Sequence, residues 1–262
     1  MSVLLALALF PAIVLCIYVF KKDKVEKEPI GLLLKLFALG AFCCFPAAYI
    51  EEFLFILIDE FFCEGTYLHL IIQQFFGVAM VEEGLKFIVL LWLTRHNEEF
   101  NSLFDGLIYA IFVSLGFAAL ENVFYVTENG FYVGIMRAVL SVPGHMFFAV
   151  LMGYYYSIWH ITDKASGIEK VLINEGVIKT DLAPFNSSKE KVKALLVPVS
   201  AHCFYNTCCS IGEWWATLLL CGFVIFMYVH CFGKIRKMSD EDAYENDYVR
   251  YMMAKKYPEL NN

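Results

Sequence analysis

Glu82, Glu83 and Lys86 interrupt a run from Val78 to Leu93 that is otherwise apolar. A charge at mid-bilayer costs roughly 2.5–3.5 kcal/mol on insertion scales, so three in one turn need a reason. On a helix Glu82 and Lys86 share a face at i,i+4, and Glu83 reaches Lys86 at i,i+3. A self-neutralising carboxylate–ammonium pair accounts for the lysine and one glutamate, and leaves the second over. Three other apolar runs each bring polar groups: Glu121, which has no basic neighbour in sequence, His145 after Pro143-Gly144, and His202 with Asn206 one turn on. Counting from the run ends puts Glu82, His145 and His202 near one depth, with Glu121 somewhat nearer one surface. Carboxylates, two imidazoles and an amide suit activation of water for attack on a carbonyl. A carboxylate takes the water proton and returns it, while imidazoles or a bound metal stabilise the oxyanion. Glu82 or Glu83 is the expected base, Lys86 the group that sets carboxylate charge, and Asn206 an orienting amide. Glu121, His145 and His202 are expected as metal ligands or as groups that position water and the oxyanion.

Such groups need helices that cross a membrane. Of 262 residues, 60% are hydrophobic and 18% charged, against about 25% charged in soluble domains. Several runs reach the ~20 residues a helix needs to span the bilayer. The expected fold is an all-α polytopic transmembrane bundle of about seven spans: 2–20, 30–50, 67–94, 104–126, 132–159, 192–211 and 214–233. The first is read as an anchor and not a signal peptide, because Lys21 and Lys22 follow it and no basic residue precedes it. Glu51-Glu52 would close the second span at the outer surface, solvated and without chemistry. Leu54 to Phe62 reads as a short interfacial or re-entrant piece. Gly106, Gly116 and Ala118-Ala119 would let neighbouring helices approach closely. Residues 1–233 are expected as one transmembrane domain, with the chemistry between 67 and 211, a loop over 162–191, and a polar tail over 234–262. The nine cysteines form no Cys-x-x-Cys pair, so neither a disulfide framework nor a thiolate metal site is expected.

Basic residues occupy alternate connections: Lys21 to Lys27, Arg95, then Lys164, Lys170, Lys179 and Lys189 to Lys193, and finally the tail. The opposite connections hold Asp59, Glu60, Glu64 and Glu128, with Arg137 as the one basic residue. The positive-inside rule then places the N-terminus outside and the tail in the cytoplasm. The net charge of −7 shows no basic groove, so nucleic acid is not an expected partner.

Glu82-Glu83-x-x-Lys86, Phe104-Asp105-Gly106 through Gly116-Phe117-Ala118-Ala119-Leu120-Glu121-Asn122, Pro143-Gly144-His145 and His202-x-x-x-Asn206 together resemble the PrsW family of intramembrane proteases. That family is distantly similar to type II CAAX prenyl endopeptidases and bacteriocin-immunity proteins. The resemblance covers spans three to six. It implies a membrane-bound endopeptidase that cleaves a single-span membrane protein in or beside the lipid bilayer, as in first-step cleavage of an anti-sigma factor. The CAAX relatives carry His where this chain has Glu121, so their chemistry does not transfer whole. A divalent ion, zinc above others, would suit two imidazoles plus carboxylates. A metal-free account with one protonated glutamate stays open beside it. The rival functions are a proton-coupled transporter, which no inverted repeat supports, and a non-catalytic immunity or binding protein on the same scaffold.

Overall fold

A computed structural model describes residues 2–178 and 182–261, which places Lys179 outside the described residues. The chain is all-α. Among the described residues one isolated bridge, Ser102 with Tyr244, is the sole β feature. Among the described residues six helical runs are long and apolar enough to cross a membrane. They are α1 (Ser2–Lys22), α2 with α3 (Ile30–Phe42 and Cys44–Phe61), α6 (Asp105–Asn129), α7 with α8 (Phe131–Val139 and Ser141–Asn174), α9 (Ser188–Ile211) and α10 (Trp214–Asp240). The expected third span is also helical throughout, as α4 (Tyr67–Ile72), a π-helical segment (Gln73–Ala79) and α5 (Met80–Thr94). A short α11 (Glu245–Lys256) follows.

Central in the bundle is α6, packed against α1, α2, α5, α7 and α8 and buried on every face between Asp105 and Ala119. Small residues make this possible. A Cβ at Gly40 of α2 would collide with the Val113 carbonyl, and one at Gly116 with the Phe37 carbonyl. The two backbones therefore touch through reciprocal glycines, the close approach that bundles in lipid rely on. Gly153 of α8 does the same against the backbone of Gly106 and Leu107. The outer faces of α1, α3 and α10 expose Ile17, Phe53, Ile56, Leu218 and Val229, the surface a bilayer would cover.

One end of the bundle gathers the 23–28 and 95–104 connections and the segment after α10. There Lys24 pairs with Asp240 at 2.6 Å, Asn101 bonds Glu26 at 3.2 Å and Ser102 bonds Asp242 at 3.1 Å. At the other end Tyr67 and Trp215 meet edge to face at 6.3 Å between centroids.

The boundaries differ from expectation in three places. The second crossing does not stop near residue 50. It kinks at Cys43, where Pro46 removes a helical donor, and runs on to Phe61, so Leu54–Phe61 is helix rather than a separate interfacial piece. Most of the first half of the 162–191 loop is a continuation of α8. At 1.5 Å per residue this 34-residue helix is ~50 Å long, well beyond a ~30 Å hydrocarbon core. Its extension packs Ile161 and Ala165 against Val249, Met253 and Tyr257. Finally, α10 continues past Gly233 to Asp240, so the tail is docked helix.

Candidate active site

The π-helical segment directly precedes Glu82 and Glu83. Its wider turns offset the residues that follow from a continuous α-helical register, and α5 presents both glutamates and Lys86 to the bundle interior. The Lys86 ammonium donates to Glu82 Oε2 at 3.0 Å and Glu83 Oε1 at 2.8 Å, and meets His145 Nδ1 at 3.2 Å. It also lies 4.1 Å over the Phe117 ring. An ammonium has no lone pair to accept with, so His145 Nδ1 must be the acceptor. The other ring nitrogen then carries hydrogen, and Nε2 donates to Glu121 Oε2 at 3.0 Å.

Glu121 does find its partner in another helix. Gly130, at φ +83°, turns the chain from α6 into α7, and α7 brings Arg137 back to Glu121 Oε2 at 2.6 Å. Asn122 holds the same guanidinium, accepting from Arg137 Nε at 2.9 Å while donating to the Ala8 carbonyl of α1 at 2.9 Å. From α9, His202 Nδ1 lies 3.1 Å from Glu83 Oε1. A carboxylate can only accept there, so His202 donates from Nδ1 and keeps Nε2 as an acceptor. Phe148 stacks on its ring at 4.7 Å. The result is one polar chain, Arg137–Glu121–His145–Lys86–Glu82/Glu83–His202, threaded through five helices.

A cavity of about 450 Å³ opens beside this chain, walled by Glu51, Glu82, Glu121, Arg137, His145, His202, Tyr205 and Asn206 among others. Five of the seven expected residues, Glu82, Glu121, His145, His202 and Asn206, reach it. Glu83 and Lys86 lie behind its wall, with 0% and 1% exposure. Their polar partners bring them into the same network.

Sequence reasoning missed two charged cavity residues. Glu51 was expected at a solvated helix end. Because α3 continues past it, Glu51 lines the cavity, and its Oε1 is buried without a hydrogen-bond partner. Its neighbour Glu52 is exposed, so the pair divides across the helix. Arg137 carried a signal, as the one basic residue on its side of the chain, which was read only as topology. Asp105 stays outside the site: it accepts from the Ser102 and Asn101 backbone at 2.6 and 2.9 Å and organises the turn before α6.

Donor geometry bears on metal binding. Among the described residues, Glu82, Glu83 and His145 form the group whose ligand atoms lie within 4.8 Å of one another. Of the expected ligand set, His145 belongs to this group, whereas Glu121 is engaged by Arg137 and His202 by Glu83. Two carboxylates and an imidazole are a donor set that zinc accepts. Glu83 Oε2, buried and unpartnered, is a further free acceptor. The chemistry fits a divalent cation.

Comparison with known proteins gives a consistent picture. A family model described as PrsW family intramembrane metalloprotease matches residues 28–232. The chain is 30% identical over 238 residues to Protease PrsW of Oceanobacillus iheyensis, covering 90% of this chain and 96% of that one. It is 29% identical over 238 residues to Protease PrsW of Clostridioides difficile, covering 89% and 90%. Against Protease PrsW of Bacillus subtilis the identity is 27% over 241 residues, covering 90% and 96%. No solved structure matches the chain.

Proposed function

Because this chain belongs to the PrsW family of intramembrane metalloproteases, we propose that the cavity beside Glu82, Glu121, His145 and His202 is its peptidase centre, with Glu82 as general base. The chain is a multi-pass membrane hydrolase that acts on membrane-embedded protein. The observation that carries the residue assignment is the division of the acidic pair. Glu82 lines the cavity, whereas Glu83 is fully buried and held by Lys86 and His202. A base must reach the water whose proton it takes. Glu82 has that access and Glu83 does not.

Lys86 holds Glu82 Oε2, which leaves Oε1 to a water in the cavity. The water oxygen attacks the scissile carbonyl carbon as Oε1 takes its proton, and the carbonyl electron pair moves onto oxygen. Collapse expels the amine, which receives the proton from Glu82. His202, fixed by Glu83 through Nδ1, offers Nε2 to the second hydrogen of that water. The Asn206 amide and the Arg137 guanidinium are donors in the cavity wall that would stabilise the oxyanion. Glu82, Glu83 and His145 would hold the divalent cation. When bound, a zinc ion there would supply Lewis-acid polarisation and a more acidic water.

A second space of about 400 Å³ lies between α3 and α6 and shares Glu51, Glu82, Glu121 and Tyr125 with the first. Its other walls include Phe45, Ala48 and Phe124, an apolar lining suited to a segment arriving sideways from lipid. We take it as the route of a single-span substrate, with an anti-sigma factor the kind that the family resemblance implies. The basic residues in alternate connections support a reading with the N-terminus outside and the tail in the cytoplasm.

Mass spectrometry of protein N-termini in membranes from cells making wild type or Glu82→Gln tests this reading. New termini within or beside single spans should be present with wild type and absent with the variant. Identical sets of termini would overturn it.

A further inference from the structure

The three polar contacts of the Lys86 ammonium are Glu82 at 3.0 Å, Glu83 at 2.8 Å and His145 at 3.2 Å. These are the same three residues that make up the close metal-capable group. Lys86 itself is 1% exposed, so its side chain is enclosed with its charge directed at the point where the donors converge. We propose that Lys86 is an internal competitor for the metal: its ammonium fills the cation position of Glu82, Glu83 and His145, and a divalent ion enters only as Lys86 withdraws. This rests on reading the cluster as the metal-binding peptidase centre.

Three physical arguments support it. The first is stoichiometric. His145 Nδ1 has one lone pair in the ring plane, and the Lys86 contact uses it. That lone pair cannot accept a hydrogen bond and ligate a metal at once. The other ring nitrogen is committed to Glu121 at 3.0 Å. The second is spatial. Contacts of 2.8–3.2 Å suit an ammonium, whereas zinc draws carboxylate and imidazole donors to about 2.0–2.2 Å. Both cations cannot sit at one convergence point. The third is electrostatic. Two carboxylates and one ammonium leave a single negative charge here, and adding a divalent ion without moving Lys86 would crowd three positive charges against two negative ones in a buried site.

The arrangement has a consequence for assembly. Small metal sites commonly leave the protein unfolded without the ion. Here the chain's own cation satisfies the donors, so the bundle can form before metal arrives. The Phe117 face, 4.1 Å from the ammonium, is a contact that Lys86 can keep after it gives up its three acceptors.

The test uses the full-length chain in nanodiscs, stripped of metal by chelation and titrated with cobalt(II), a coloured substitute for zinc. Visible absorption reports the site, and elemental analysis of zinc-loaded samples gives the stoichiometry. Lys86→Met should bind cobalt(II) at least tenfold tighter than wild type, and His145→Ala added to it should abolish the gain. Lys86→Arg, which keeps the cation, should bind no tighter than wild type. The proposal is overturned by equal or weaker binding to Lys86→Met, by a gain that survives His145→Ala, by an equal gain in Lys86→Arg, or by no metal binding in any of them. If Lys86→Met does not fold, a structure of zinc-loaded wild type decides: Lys86 should be parted from His145 Nδ1, and an intact contact overturns the proposal. Failure here leaves the glutamate-based peptidase standing, because that reading is tested separately by Glu82→Gln cleavage.

Discussion

At the scale of residues, adjacent glutamates do different work. Glu82 faces the cavity and Glu83 fixes Lys86 and His202. Glu82→Gln should reduce turnover at least ~10²-fold, the usual scale for loss of a general base. Glu83→Gln should also weaken proteolysis, but through loss of a charge-assisted contact to His202. Adding imidazole to an enlarged His202→Gly site should therefore restore activity in the Glu83 background and not in the Glu82→Gln background. The second acidic pair divides similarly. Glu51→Ala should lower cleavage about tenfold or more because it removes a cavity carboxylate, while Glu52→Ala stays near wild type; equal effects would show that the cavity position is irrelevant. The convergence of these polar residues was largely legible in the sequence because polar groups in apolar helices are costly and therefore conspicuous. Glu51 escaped because its role depends on how far α3 continues, and Arg137 because it meets Glu121 only after the Gly130 turn. Neither fact is local.

Helices and their connections set the next scale. The crossings at Gly40 and Gly116 leave no room for a side chain. Gly116→Val should cost roughly 1–3 kcal/mol or more through overpacking, measured as a lower midpoint of thermal unfolding in micelles. At the end where the 23–28 and 95–104 connections meet, Glu28 is bonded by Tyr109 at 2.5 Å, with Asp23 and Asp105 nearby. Burial pushes the Glu28 carboxyl up to about 9 from its ordinary 4.5, and burial pushes Asp242 up to about 6. Raised values mean that the folded state holds protons the unfolded state releases. The Glu28 contribution to stability is full below pH ~4.5 and is lost as pH rises to about 9. Trypsin should thus cut near the 241–244 link faster at pH 9 than at pH 6, and Glu28→Gln should remove most of that difference. The all-α bundle of membrane-length helices was legible from apolar run length. The π-helical segment and the long α8 were not, because the first packs against α3 and α9, distant in sequence, and the second depends on docking of α11 on Ile161 and Ala165.

On the proposed reading, the whole molecule sets a hydrolytic centre inside a bundle whose outer faces suit lipid. Orientation decides from which side water and cut products come and go. Single cysteines at 64 and 128, in a background lacking the native thiols, should label from outside intact cells, and one at 170 only after permeabilisation. The most direct test of the central claim is proteolysis in 18O-water by purified protein in nanodiscs with a single-span substrate. Mass spectrometry should find a cut within the span, with one 18O in the new carboxylate. Folded Glu82→Gln protein should form no such product, and undiminished labelled product from that variant would contradict the account.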